Sequence, residues 1–181
     1  MKKIIILIMF CTIGFAQSNF KIGINSGLAW QYQEDTKPGY THNLQLGYLL
    51  NDNFELYVSG GILSYSKWRS DFLDTYVTNL SFGIRYYLGN NISRLFVLGE
   101  VQQSMGDHIY NIEDVNMYKP GNYFKSVSRD VDETIAILGC GYSYQINKNF
   151  EFISSLSITI VSSEDDDLHY LRLFTGLNYR F

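Results

Sequence analysis

The residues that could do chemistry are a few charged side chains set into runs that otherwise alternate between apolar and uncharged polar residues. Each charged residue stands at one of the polar positions of its alternating run. The residues directly before and after it in the chain are therefore apolar in most cases. Charges that leave water must pair with one another. The pattern therefore predicts a buried network of ion pairs that contains Lys21, Glu55, Arg85, Arg94, Glu100, Glu151, Arg172 and Arg180.

Other reactive residue types show weaker patterns. Four consecutive carboxylates, Glu164, Asp165, Asp166 and Asp167, form either a solvated loop tip or a site for Ca²⁺ or Mg²⁺, which prefer oxygen ligands. The three histidines, His42, His108 and His169, have no motif that selects a partner serine. No hydrolase elbow, zinc motif or phosphate-binding loop occurs, so we expect no enzyme activity and no cofactor.

The elements that must position these charges are eight runs with a hydrophobic period of two, which predicts β-strands. The third run loses its phase after Gly60 and Gly61, and we predict a β-bulge there. In the fifth run Phe96 and Leu98 interrupt the polar face, which leaves the direction of Glu100 uncertain. The runs are 20–33, 40–50, 54–68, 75–88, 94–105, 134–146, 150–161 and the stretch from about 168 to 181.

The connections between the runs alternate in length, which predicts an antiparallel meander with its tight turns at one end. The short connections 51–53, 89–93 and 147–149 are rich in asparagine, a common turn residue. The long connections are 34–39, 69–74, 106–133 and 162–167.

The direction of the apolar face decides between two barrels. A soluble lipocalin-like barrel turns its apolar face inward, whereas a membrane barrel turns it outward. The polar face here is rich in Gly, Ser and Asn, including Asn25, Asn43 and Asn79, and small residues suit a narrow interior. Aromatic residues gather near both ends of the apolar face, as in interface belts. We predict an all-β, eight-stranded, antiparallel up-and-down transmembrane β-barrel with an interior filled by side chains.

The N-terminal segment predicts export. Residues 1–16 have two lysines, an apolar run and small residues at Gly14 and Ala16, which is typical of a cleaved signal peptide; a retained anchor is the alternative. Residues 17–181 then form the barrel domain. Loss of Lys2 and Lys3 would change the formal net charge from −4 to −6, which disfavours nucleic acid as a partner. Cys140 would remain as a single cysteine, so no internal disulfide is expected.

With these strands and this leader, the chain resembles small outer-membrane barrels of Gram-negative bacteria, of the OmpX and OmpA transmembrane-domain type. It looks most like the outer membrane beta-barrel proteins of Bacteroidetes. In such proteins the barrel-assembly machinery reads a terminal strand that ends in an aromatic residue. The resemblance implies this assembly signal for Leu177, Tyr179 and Phe181, and it implies a monomer in the outer membrane after Sec-type export.

The resemblance also frames the expected function. It implies contact with outer-membrane lipid and lipopolysaccharide, and a cation held by residues 164–167 would bridge to lipopolysaccharide phosphates. We expect a structural or surface-interaction role through the four long connections, with a surface protein or glycan as ligand. The alternatives are an outer-leaflet lipid-modifying enzyme, similar to lipid A acylases and deacylases, and a pathway for a small solute or ion.

Overall fold

The computed structural model describes residues 19–31, 38–66, 73–89, 92–113, 124–162 and 170–181. Among these residues no helix is long and apolar enough to cross a membrane. The strands are β1 (Phe20–Gln31), β2 (Gly39–Leu49), β3 (Phe54–Ser66), β4 (Leu73–Gly89), β5 (Ser93–Glu113), β6 (Phe124–Gln145), β7 (Phe150–Ser162) and β8 (Tyr170–Arg180).

The strands form a closed antiparallel barrel in which each strand pairs with its neighbours in the sequence. β8 closes the barrel against β1, from Lys21 opposite Arg180 to Gln31 opposite Tyr170. Closure leaves no strand edge unpaired along the barrel wall, which is what a sheet surrounded by hydrocarbon requires. The predicted fold class, an eight-stranded up-and-down barrel, is confirmed.

Where the structure describes the side chains, they alternate between the interior and the outer surface along the strands. Asn25, Asn43 and Asn79, which belong to the predicted polar face, are buried inside the barrel. On the outer surface Leu46, Phe82 and Ile158 are 52%, 55% and 41% exposed. This arrangement is the opposite of a lipocalin-like barrel, and it is the one that a membrane-spanning barrel requires.

Two of the tight turns are built in the same way. The side-chain Oδ1 atom of Asn51 accepts hydrogen bonds from the backbone N–H groups of Asn53 and Phe54, both at 2.9 Å. Asn147 accepts the same two bonds from Asn149 and Phe150, also at 2.9 Å. These turns, residues 50–53 and 146–149, define what we call the turn end of the barrel; the opposite end is the loop end.

The predicted bulge at Gly60 and Gly61 is wrong. β3 keeps a continuous register there, with Gly61 opposite Asn43 and Gly60 opposite Leu44. The phase of the sequence is blurred because Leu63 points inward and joins an apolar cluster inside the barrel with Ala29, Ile135, Ile137 and Tyr170. The irregularity lies between β6 and β7 instead, where the register shifts between Ala136 and Ile137.

The prediction of a loop over residues 106–133 is also wrong. β5 continues to Glu113 and β6 begins at Phe124, and the two strands stay paired from Gly106 opposite Val131 to Glu113 opposite Phe124. Beyond a membrane both faces of a hairpin meet water, so pairing continues there without any alternation of apolar residues. The remaining connection, residues 114–123, lies outside the described residues, as do most residues of the other three predicted long connections.

Candidate functional site

The candidate site is the interior of the barrel, where inward positions on several strands bring the predicted charges together. The structure forms two groups. We call Lys21, Glu55, Arg85, Arg94 and Glu151 the turn-end network, and we call Glu100 and Arg172 the mid-lumen pair.

The turn-end network is a chain of alternating charge. Lys21 stands at its centre, with Nζ 2.9 Å from Oε2 of Glu55 and 2.7 Å from Oε2 of Glu151. Each carboxylate binds a second cation: Arg85 Nη1 lies 3.1 Å from Glu55 Oε1, and Arg94 Nη2 lies 2.8 Å from Glu151 Oε1. Three cations thus share two carboxylates.

Uncharged side chains complete the coordination of the carboxylates. Tyr87 donates to Glu55 Oε2 at 2.5 Å, and Gln45 donates to Glu55 Oε1 at 3.1 Å. Ser143 donates to Glu151. Glu55 is 0% exposed, so these donors replace the water that the carboxylate loses on burial.

The mid-lumen pair is also held on several sides. Arg172 Nη2 donates to Glu100 Oε1 at 3.2 Å, and Tyr57 donates to Glu100 Oε2 at 2.8 Å. The other guanidinium donors of Arg172 reach Gln102 Oε1 at 2.9 Å and Ser157 at 3.2 Å. The structure therefore resolves the uncertain direction of Glu100, which faces the interior.

Arg180 stands apart from both groups. It lies at the turn-end mouth and donates to Oδ1 of Asn19 at 3.2 Å, with no carboxylate partner among the described residues. Among the neutral partners, Gln45 lies on the polar face of its run, whereas Tyr57 and Tyr87 were not predicted from the sequence. The signal that could have found these two tyrosines is their position two residues after Glu55 and Arg85, because residues two apart in a strand point to the same side.

The space between the two groups is small. A cavity of about 20 Å³ is lined by residues of both, including Arg85, Glu100 and Arg172. This volume holds one water molecule or little more. Side chains, rather than a wide channel, occupy this part of the interior.

Inward glycines make room for these side chains. Tyr57 lies directly over Gly83 on the neighbouring strand, and the amide oxygen of Asn43 lies against the backbone of Gly61. A Cβ atom at Gly61 would meet Oδ1 of Asn43 and the carbonyl oxygen of His42, whereas one at the adjacent Gly60 would find its nearest atom 3.8 Å away. Two neighbouring glycines therefore have different packing roles.

We expect Gly61→Ala to destabilise the folded barrel by about 1–3 kcal/mol, because the added methyl group overpacks the interior. Gly60→Ala is the matched control, since it adds the same group to the open outer surface and should leave the stability nearly unchanged. The measurement is the free energy of unfolding in urea, in the same micelles for both variants. Equal losses of stability would contradict the packing that we describe.

The remaining candidate residues form no comparable site. Residues 164–167 and His169 lie outside the described residues, and so does the side chain of His108. Within the described part of the chain, no three His, Cys, Asp or Glu side chains are placed to hold a metal ion. On the outer surface His42 Nδ1 lies 2.9 Å from Oγ of Ser26.

The outer surface carries the aromatic residues at the level where the strands end. Around the turn end, ring centroids are 4.8 Å apart for Phe20 and Tyr48 and 5.2 Å apart for Phe150 and Tyr179. Phe181 packs edge-on against Tyr179, with centroids 5.1 Å apart. Of the residues in the implied assembly signal, Leu177 and Phe181 are exposed on this surface and Tyr179 is partly exposed. Such a belt suits a membrane interface.

A closed barrel with a polar, ion-paired interior and an apolar, belted outer surface defines the class of small eight-stranded outer-membrane β-barrels. Solved structures of this class match the chain over nearly its full length. The N-terminal β-barrel domain of Pseudomonas aeruginosa OprF has a TM-score of 0.56 at 18% identity and covers 91% of this chain and 100% of its own.

Two further structures show the same fold. Neisserial surface protein A has a TM-score of 0.60 at 11% identity, with 91% of this chain and 98% of its own covered. Ail of Yersinia pestis has a TM-score of 0.56 at 18% identity, with 91% and 97% covered. Comparison with protein-family models and with curated proteins found no match. The chain therefore has the fold of the OmpX and OmpA transmembrane-domain type.

Proposed function

We propose that the chain is an integral protein of the bacterial outer membrane with a non-enzymatic, structural or surface-interaction role. The observation that carries this proposal is the filled interior. Two ion-paired groups and their neutral partners occupy the lumen, and the cavity between them is about 20 Å³. The interior of an eight-stranded barrel is just wide enough for side chains to fill.

A filled interior predicts low conductance. The folded barrel in planar bilayers should give no large, stable channel, because Lys21 and Arg172 are fixed by carboxylates inside the lumen. The measurement is single-channel current in symmetric salt, with a wide porin in the same bilayer as the positive control. A steady porin-like current would contradict the proposal and would support the pathway for small solutes or ions.

The part of the chain that best suits contact with a partner is the hairpin of β5 and β6. Its strands have 21 and 22 residues, whereas β7 and β8 have 13 and 11. β6 pairs with β7 only as far as Ile135 opposite Ser162, so residues 124–134 extend beyond that strand. In outer-membrane barrels the longer connections face outward from the cell. We place this hairpin at the cell surface.

The charge of the hairpin narrows the choice of partner. Ail of Yersinia pestis has been solved in complex with the heparin analogue sucrose octasulfate. Residues 106–133 of this chain contain six acidic and three basic residues, a balance that repels a sulfated ligand. A surface protein with a basic face, or an uncharged glycan, fits this segment better.

The enzymatic alternative has one observation in its favour, the contact between Ser26 and His42 on the outer surface. A nucleophilic serine also needs a base that is oriented by a third group, and donors for the developing oxyanion. No carboxylate pairs with His42 among the residues that the structure describes. The contact serves equally well to satisfy two polar groups on an apolar surface, and we favour the non-enzymatic role.

Export and insertion complete the proposal. Residues 1–16 act as a signal peptide for Sec-type export, and residues 17–181 form a monomeric barrel in contact with outer-membrane lipid and lipopolysaccharide. The barrel-assembly machinery recognises β8 through Leu177, Tyr179 and Phe181. These steps rest on the resemblance and on the exposure of these residues on the outer surface.

A further inference from the structure

A small cavity at the turn-end mouth of the barrel is lined by more cations than carboxylates. Its volume is about 20 Å³. Its charged lining residues are Lys21, Arg94, Lys148, Arg180 and Glu151. Four cations thus surround a single carboxylate.

The carboxylate of Glu151 already accepts a full set of hydrogen bonds from residues inside the barrel. Glu151 already accepts from Lys21 at 2.7 Å and from Arg94 at 2.8 Å. Ser143 and, at 3.3 Å, Asn178 donate to it as well. Because these donors hold Glu151 inside the barrel, it pairs with neither Lys148 nor Arg180.

Several donors at the mouth remain available. Neither Lys148 nor Arg180 pairs with a carboxylate in the described part of the chain. Arg94 lies with its guanidinium 4.0 Å from the ring centroid of Tyr87, and it uses Nη1 on the carbonyl oxygen of Asp52. Its Nε atom is buried and has no hydrogen-bond partner. Because that atom is shut off from solvent, the donors that a ligand can reach at the mouth are the exposed ammonium group of Lys148 and the remaining guanidinium donors of Arg180.

We propose that this mouth is a binding site for an oxyanion, namely a carboxylate or phosphate group. The cavity has room for about one oxygen-sized atom, so one ligand oxygen enters it and the rest of the group faces solvent. Guanidinium and ammonium donors bind such oxygens with charge-assisted hydrogen bonds. The low-dielectric wall around the mouth strengthens the attraction.

The site goes beyond the proposed surface role, since it lies at the opposite end of the barrel from the β5–β6 hairpin. Two kinds of ligand could present the oxyanion to this site. One is a free oxyanion in the aqueous compartment at the turn end, and the other is the headgroup phosphate of a lipid beside the barrel rim. Both present the same oxygens to Lys148 and Arg180.

The test is a titration of the folded, isotope-labelled barrel in phosphate-free maltoside micelles with inorganic phosphate and, separately, acetate at constant ionic strength. The NMR signals of the backbone amides of residues 148–150 and 180 should shift and saturate. The double variant Lys148→Gln/Arg180→Gln should raise the apparent Kd at least tenfold. Lys125→Gln, the same change at the far end of the barrel, should keep the Kd within twofold of the unmodified chain.

Lys148→Gln alone covers the case in which the double variant fails to fold, because Lys148 lies exposed on a turn; it should weaken binding at least threefold. Heat-modifiable gel migration establishes folding for each variant. Unchanged affinity in either variant would overturn the proposal, and so would the absence of a saturable shift in the unmodified protein.

A second titration in phosphatidylglycerol nanodiscs distinguishes the two sources. If lipid headgroups occupy the site, the apparent Kd for free phosphate rises relative to the maltoside micelles. If the ligand is a free oxyanion, the Kd is the same in both environments. Both outcomes support an oxyanion site, whereas saturable binding that survives the loss of Lys148 and Arg180 contradicts it.

Discussion

Glu55→Ala should destabilise the barrel by about 3–5 kcal/mol, because it removes the carboxylate from a buried group that keeps its cations. Glu55 is 0% exposed and binds Lys21 at 2.9 Å and Arg85 at 3.1 Å. Arg85 would lose the one carboxylate that it contacts among the described residues, and Lys21 would keep Glu151 as its carboxylate partner. The measurement is the free energy of unfolding in urea, followed by tryptophan fluorescence in micelles.

Two variants sharpen this prediction. Asp52→Ala removes a carboxylate from an exposed turn at the same end of the barrel and should change stability by less than about 0.5 kcal/mol. Lys21→Met combined with Glu55→Ala removes a cation together with its partner, so the double variant should lose less than the sum of the two single losses. Additive losses would show that Lys21 and Glu55 are not coupled, and an unchanged unfolding midpoint for Glu55→Ala would show that the network does not stabilise the fold.

The barrel could be predicted from the sequence because successive side chains of a strand point to opposite faces, and this alternation can be recognised within each short run of residues. The alternation that separates Asn43 from Leu44 survives wherever one face meets the interior and the other meets the apolar surroundings. It fails where that contrast disappears. Leu63 joins an apolar cluster inside the barrel, and this produced the false bulge. Past Gly106 the strands β5 and β6 stay paired although their sequences lose the alternation of apolar and polar residues, and this produced the false loop.

The partners inside the lumen could not be predicted in the same way. Alternation places Lys21, Glu100 and Arg172 on inward faces, but it does not say which acid meets which base. Lys21 bonds to a residue 130 positions away, and Arg172 bonds to Glu100 across 72 positions. Which residues meet across such separations in the sequence depends on the stagger of the strands around the closed barrel. That stagger is a global property of the fold. The excess of cations over carboxylates around the turn-end cavity emerges only once these pairs are assigned.

Phe181→Asp should sharply reduce the amount of folded barrel in the outer membrane while export continues. The N–H of Phe181 donates to the carbonyl oxygen of Phe20 at 3.2 Å, and its ring packs against Tyr179 on the outer surface. The residue therefore takes part in the closure of the barrel and presents an aromatic ring where the assembly machinery would read β8. The measurement is membrane fractionation with heat-modifiable gel migration.

Phe150→Asp is the control that separates recognition by the assembly machinery from the energetic cost of placing a charge in the aromatic belt. Phe150 belongs to β7, is as exposed as Phe181 at 38%, and packs on the same Tyr179 at 5.2 Å. A charge near the interface of a membrane barrel costs about 1 kcal/mol or less, which is too little to abolish insertion in either variant. If Phe181 guides assembly, Phe181→Asp loses most of its folded yield and Phe150→Asp keeps most of it, while both refold alike from urea into micelles. A normal yield from Phe181→Asp, or an equal loss in both variants, would refute the assembly role, because the belt alone would then account for the result.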